Sequence, residues 1–162
     1  MNRAPSGWLV HGGLFVGLLL MVVPLPAGIE LARPYVLAMV LCYWLLETPE
    51  QVGLGTAFLA GLAADLVSGT LLGEQALRLV ILAFLVQRFR ARLRFFPLWQ
   101  QALAVFPLLL NDRLVDQAIH AAGGDGWLPW ATWLAPFVGF ALWPWLFLLF
   151  DELRLRSRDR TG

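Results

Sequence analysis

Apolar positions along this chain gather into long runs rather than alternating with polar ones. The runs fall at about residues 8–23, 35–46, 51–66, 71–87, 97–115 and 130–150. Between them stand turn and charge signals: Pro24 and Pro26 with Glu30 and Arg33, then Glu47, Pro49 and Glu50, then Ser68 and Gly69. An arginine cluster at 88–94 and the glycine-rich GGDG at 123–126 supply the remaining breaks. Continuous apolar runs of this length predict six helices. The second run is short, so its helix can begin in the preceding loop. The break at 67–70 admits two forms, a tight hairpin, which is favoured, or a re-entrant segment at membrane depth.

Composition changes the meaning of these helices. Hydrophobic residues make up 59% of the 162 positions and charged residues 14%, where an ordinary soluble domain carries roughly a quarter charged. The mean hydropathy is +0.70. A water-soluble globule is excluded. One hydrocarbon crossing takes about 20 apolar residues, so the chain has room for about six crossings and no separate soluble domain. The expectation is therefore an all-α integral membrane protein, with residues 1–162 forming a single transmembrane domain. Arg3 before the first apolar run resembles a signal peptide, but cleavage after Ala27 would place Leu25 where a small residue is required. The run is kept as a membrane helix. Cys42 is the only cysteine; it cannot form an internal disulfide and reads as a small packed or lipid-facing side chain.

The net charge of +1 hides a strong segregation, and gives no reason to expect a nucleic-acid partner. All twelve positive residues are arginines, and nine of them lie in three places: Arg3, the cluster Arg88, Arg90, Arg92 and Arg94, and the tail Arg154, Arg156, Arg158 and Arg160. With six crossings those places share one side, which the positive-inside rule makes the cytoplasm. Both termini are then cytoplasmic. The opposite loops, 24–34 and 116–129, contain Arg33 alone, with Glu30, Asp116 and Asp125. Trp127 and Trp130 near the outer boundary, and Trp8, Trp44 and Trp99 near the inner one, suit aromatic belts. The cluster Arg88, Arg90, Arg92 and Arg94 either sets topology alone or also contacts anionic lipid headgroups or a partner.

The stretch GLAADLVSGTLLGEQALRLV, residues 61–80, is the richest in unusual placements. Gly53, Ala57, Gly61 and Asp65 recur at four-residue spacing, a stripe of small residues that lets another helix approach closely. Asp65 then faces protein too, since a carboxylate toward lipid costs several kcal/mol. Three roles are open for it: a hydrogen bond to the following turn that clamps helices three and four, a ligand or proton site, or a partner contact. Gly69 supplies freedom for the turn, and Gly73 lets the fourth helix pack near its start. Arg78 lies four residues after Glu74, and an i,i+4 pair is the economical account. Asn111, Asp112, Arg113, Asp116 and His120 make the outer end of helix five polar, with Arg113 and Asp116 expected to pair. Pro107, Pro136 and Pro144 fall within spans, where neighbours can satisfy the released carbonyls. His11 and His120 lie on separate runs, and no catalytic group, metal spacing or phosphate loop assembles. No enzyme activity, metal or cofactor is expected.

GLAADLVSGTLLGEQAL, an apolar helix, the arginine cluster and then QQALAVFPLLL at 100–110 resemble the rod-shape-determining membrane protein family MreD. Similar too are the RP at 33–34 leading to YW at 43–44, and the closing PWLFLLFDELRLR at 144–156. The likeness spans essentially the whole chain and is densest between 53 and 101. It implies a non-enzymatic component of the bacterial elongasome in the inner membrane. Such a protein would bind the bitopic protein MreC and help link MreB filaments to the wall-synthesis pair RodA and penicillin-binding protein 2. The family is also similar in fold to the substrate-binding subunits of energy-coupling-factor transporters, so a vitamin-type small-molecule binder is the alternative. For that role the only cluster is Trp127, Trp130, Asp116 and His120.

Overall fold

A computed structural model of the chain describes residues 7–159; Arg3, Arg160 and the side chain of Arg158 lie outside the described residues. Among these residues there are six α-helices and no strand: α1 Gly7–Val22, α2 Val36–Glu47, α3 Leu54–Ser68, α4 Glu74–Leu93, α5 Leu98–Gly123 and α6 Ala135–Asp159. Short 3-10 turns at Glu30–Ala32 and Trp130–Leu134 precede α2 and α6.

The sequence VLAMVLCYWLL offers no polar face, and a helix apolar all round belongs in the interior. Every residue of α2 from Leu37 to Leu46 is buried. It packs against α1, α4 and α6, while α3 against α4, α4 against α5, α5 against α6 and α1 against α3 complete the wall around it. Closure between α1 and α6 comes at Gly13, where an added Cβ would lie 2.9 Å from both the Phe150 ring and Trp44 Nε1. Aromatic edges fill the centre: Tyr43 meets Trp44 at 5.0 Å and Phe147 at 5.2 Å between ring centroids.

The outer faces are the inverse of a soluble protein's. Phe15, Leu19, Leu59, Leu66, Phe84, Leu103, Leu114, Phe137, Trp145 and Leu149 are all exposed, far more contiguous apolar surface than a protein bathed in water tolerates. Residues Trp130–Ser157 form a helical stretch of 28 residues, long and apolar enough to cross a membrane by itself. The apolar helices α1 and α3 are shorter, at 16 and 15 residues. α4 and α5 are longer, but each carries ionic groups within its length.

Three helices run well past the ends expected of them, α6 among them, which continues beyond residue 150 to Asp159. The arginine cluster does not end a helix: α4 continues to Leu93. Arginine is a strong helix former, and the first helix-breaking residue downstream is Pro97, which precedes α5. Likewise α5 runs past residue 115 to Gly123, stopping where Gly124 turns left-handed at φ 87°. Pro107 and Pro144 lie inside continuous α5 and α6.

Candidate functional site

α3 and α4 form a hairpin whose turn is framed by Gly69 at φ 67° and Gly73 at φ 102°, both in the left-handed region. The two helices touch at backbone distance. A Cβ placed on Gly61 would lie 2.2 Å from Ala76 Cα and 2.6 Å from its nitrogen. Of the other small residues on the stripe, Ala57 is fully buried, and Gly53 caps α3 beside Gln87, whose amide would stand 3.9 Å from a Cβ there. The stripe's face is thus occupied by α4 of the same chain.

This approach carries Asp65 to the start of α4. Its Oδ2 accepts from the Gly73 N–H at 2.8 Å, and its Oδ1 from the Gln75 N–H at 2.8 Å and the Thr70 hydroxyl at 2.9 Å. The N-cap position of α4 is Gly73, which has no side chain with which to cap. Asp65 performs that task from the neighbouring helix, satisfying orphan donors at the positive end of the α4 dipole. Its carboxylate, in a residue 1% exposed, is compensated without any cation.

The chain of contacts continues through Gln75. The Tyr35 hydroxyl donates to Gln75 Oε1 at 2.6 Å, which ties the entry of α2 to the first turn of α4. Above the Tyr35 ring, 5.0 Å from its centroid, sits the Arg78 guanidinium, within cation–π range. Arg78 does not form the i,i+4 pair with Glu74 that the spacing predicts. It reaches across to α5, donating to both oxygens of Asp112, at 3.0 and 2.6 Å, and to Asp116 Oδ1 at 3.0 Å. A two-pronged carboxylate contact suits the planar guanidinium and satisfies more donors than a helical neighbour could. Arg113 adds the expected contact to Asp116, at 3.2 Å, so two arginines face two aspartates and the cluster is formally neutral.

A cleft of about 240 Å³ opens beside this cluster, lined among others by Glu30, Arg33, Tyr35, Gln75, Arg78 and Arg113. Trp127 and Trp130, expected to form a binding cluster with Asp116 and His120, take no part in it: they are 84% and 78% exposed. Asp116 is engaged by both arginines, and His120 Nδ1 contacts the Asp116 backbone carbonyl at 3.0 Å. Glu74, Asp116 and His120 do converge closely enough to offer three ligand atoms to a metal ion, but a cation there would compete with Arg78 and Arg113 for the same carboxylate.

The opposite end of the bundle is tied separately. Arg90 Nε donates to the Leu46 carbonyl at 3.0 Å, closing the last turn of α2. Arg154 joins Glu47 at the end of α2 and Asp151 at 2.9 Å, which fixes the last turns of α6 against the end of α2. Arg88, Arg92 and Arg94 are exposed.

Sequence reasoning located Asp65, Gly61 and Gly73 but missed Tyr35, Gln75 and the Arg78–Asp112 pair. One signal was available for that pair: opposite charges inside two apolar runs, which in a low-dielectric interior must find each other.

The arrangement holds helices together. A family profile described as rod shape-determining protein MreD matches residues 6–153. The rod shape-determining protein MreD of Haemophilus influenzae is 35% identical over 156 residues, covering 93% of this chain and 94% of that protein. No solved structure matches the chain. With both a whole-length profile and a whole-length relative in agreement, the chain belongs to the MreD family of rod shape-determining proteins.

Proposed function

We propose that this protein is a multi-pass scaffold of the bacterial cytoplasmic membrane that binds MreC and supports lateral peptidoglycan synthesis, acting on MreB, RodA and penicillin-binding protein 2 through that complex. In this reading all six helices cross the bilayer, both termini are cytoplasmic, and the fold is that of energy-coupling-factor substrate-binding subunits. The observation that carries it is the division of labour in the bundle. The buried ionic groups Asp65, Arg78, Asp112 and Asp116 are compensated inside the chain, leaving the apolar outer faces as surface for a membrane partner. Without a hydrophobic drive between helices in lipid, such an interface rests on small residues and close packing. At Gly12 on α1 and Gly55 on α3 an added Cβ would meet no atom within 4 Å, and each can admit a partner helix. Sidedness follows from the arginines: the end holding Arg88, Arg92, Arg94 and Arg154 is cytoplasmic.

A second reading, a vitamin-type binding subunit, has the cleft beside Arg33 and Arg78 in its favour. Its 240 Å³ is below the ~300–1,000 Å³ of typical ligand pockets.

The test is complementation in a rod-shaped bacterium depleted of its own homologue, with recovery of MreC alongside. Gly12→Trp or Gly55→Trp should abolish rescue and MreC recovery while the protein remains folded in detergent. Substitution of Glu30, Leu31 or Arg33, all of which line the cleft, should leave rescue intact. A vitamin copurifying from native membrane, or loss of rescue from these three with MreC still bound, would replace the scaffold by the binder.

A further inference from the structure

A second cavity, of about 420 Å³, lies between α4 and α5 at the arginine-rich end. Its walls are Leu85, Phe89 and Phe96 on one side and Ala104, Pro107 and Leu108 on the other, and Arg92 is the one charged residue lining it. The volume lies within the ~300–1,000 Å³ range of ligand-holding clefts. We propose that this groove is a site for one anionic phospholipid, an acyl chain lying along the apolar walls and the phosphate held at the mouth by Arg92 and Arg88.

The charge pattern selects this occupant. Arg88 and Arg92 are four residues apart on α4 and so share a face, where like charges repel. No acidic residue occurs between Glu74 and Asp112, and among the described residues neither arginine forms an ion pair. Arg90, which points elsewhere, is already engaged by the Leu46 carbonyl. An anion bound from outside the chain would relieve that repulsion. An apolar partner helix laid in the groove would desolvate Arg92 without a counter-charge, and a zwitterionic lipid brings a phosphate already neutralised by its own cation. Phe95, between α4 and α5, and Trp99, in the first turn of α5, are 84% and 61% exposed, as aromatic residues at the headgroup level are.

Placing that mouth in the cytoplasmic leaflet rests on the orientation proposed above, but binding itself does not. The experiment is native mass spectrometry of the full chain in neutral detergent, with phosphatidylglycerol and phosphatidylcholine of matched acyl chains. Wild type should retain one phosphatidylglycerol in preference by about ten-fold or more. Arg92→Gln and Arg88→Gln should each reduce the preference about five-fold, as expected for a charge near a lipid surface. Ala104→Phe, which fills the groove, should lower retention of both lipids, and Arg156→Gln on the tail should change nothing. Detergent melting checks that each variant is folded, and Leu85→Trp fills the same groove from α4 if Ala104→Phe does not fold. Equal retention of the two lipids overturns the site. So does a preference that survives the double arginine variant or both groove-filling changes, or MreC expelling the lipid from wild type. Thiol labelling of Phe95→Cys in intact cells reports the orientation separately: labelling from outside would refute the topology and leave the lipid result standing.

Discussion

Gly61→Ala is the smallest change that tests how α3 and α4 are joined. In an unconstrained helix it stabilises, by about 0.5–1 kcal/mol. Here the new Cβ would sit 2.2 Å from Ala76 Cα and 2.6 Å from its nitrogen, where apolar contact wants roughly 3.5–4.0 Å. The helices would have to separate by about 1.5 Å at that level, and overpacking of this kind costs about 1–3 kcal/mol. One turn away, the Asp65 bonds to the Gly73 and Gln75 amides, both 2.8 Å, would lengthen beyond useful range; hydrogen bonds to a charged group contribute about 1.5–3 kcal/mol each. With the helix-propensity gain subtracted and partial relaxation allowed, the expected loss is about 2–4 kcal/mol. At roughly 2–4 °C for each kcal/mol in a chain of this size, detergent melting should fall by about 5–15 °C. A companion variant sharpens the test. The atoms in the way belong to the Ala76 backbone, so adding Ala76→Gly should give no rescue. Melting of Gly61→Ala at or above wild type, or recovery by Ala76→Gly, would refute a backbone-to-backbone contact.

Other substitutions probe the polar groups. Asp65→Asn keeps an acceptor for part of the network, whereas Asp65→Leu strands the Gly73 and Gln75 donors at about 1–3 kcal/mol; the two should rank in that order by melting, and equal wild-type behaviour would remove the cap. Arg78→Met leaves Asp112 and Asp116 buried without their main cation and should cost about 3–5 kcal/mol. The combination Arg78→Met with Asp112→Leu should melt above Arg78→Met alone, because an apolar pair is tolerated better than half an ionic one; a double variant no better than the single would argue against direct pairing. Removing Arg154 by Arg154→Gln should loosen the junction of α6 with Glu47 by up to about 1 kcal/mol, readable as faster proteolysis of the 151–162 segment.

What could be read from the chain in advance depended on sequence separation. Asp65, Thr70, Gly73 and Gln75 lie within ten residues of each other, and the small-residue spacing already set which face of α3 would meet the next helix. The interior position of α2 was implicit in a run with no polar face. Arg78 and Asp112 are 34 positions apart, and their meeting depends on the register of α4 against α5, which no local spacing encodes. Glu74, one turn away, was therefore the default partner, and it lost because two carboxylates on α5 offered better geometry. The arginine cluster misled in another way: its charges mark a boundary of environment, and the helix carries on through it.

The partners of Arg78 also impose an order in time. Ribosomes deliver α4 before α5, so there is an interval in which Arg78 has been made and Asp112 and Asp116 have not. A nascent chain stopped in that interval carries a guanidinium without its carboxylates, in a hairpin whose buried Asp65 is already engaged by the α4 amides. α2, with no ionic group from Val36 to Leu46, can wait in lipid unassisted. α4 cannot, and biogenesis of this protein should therefore pause with α4 held at the insertion machinery until α5 arrives, the two helices leaving it as one unit.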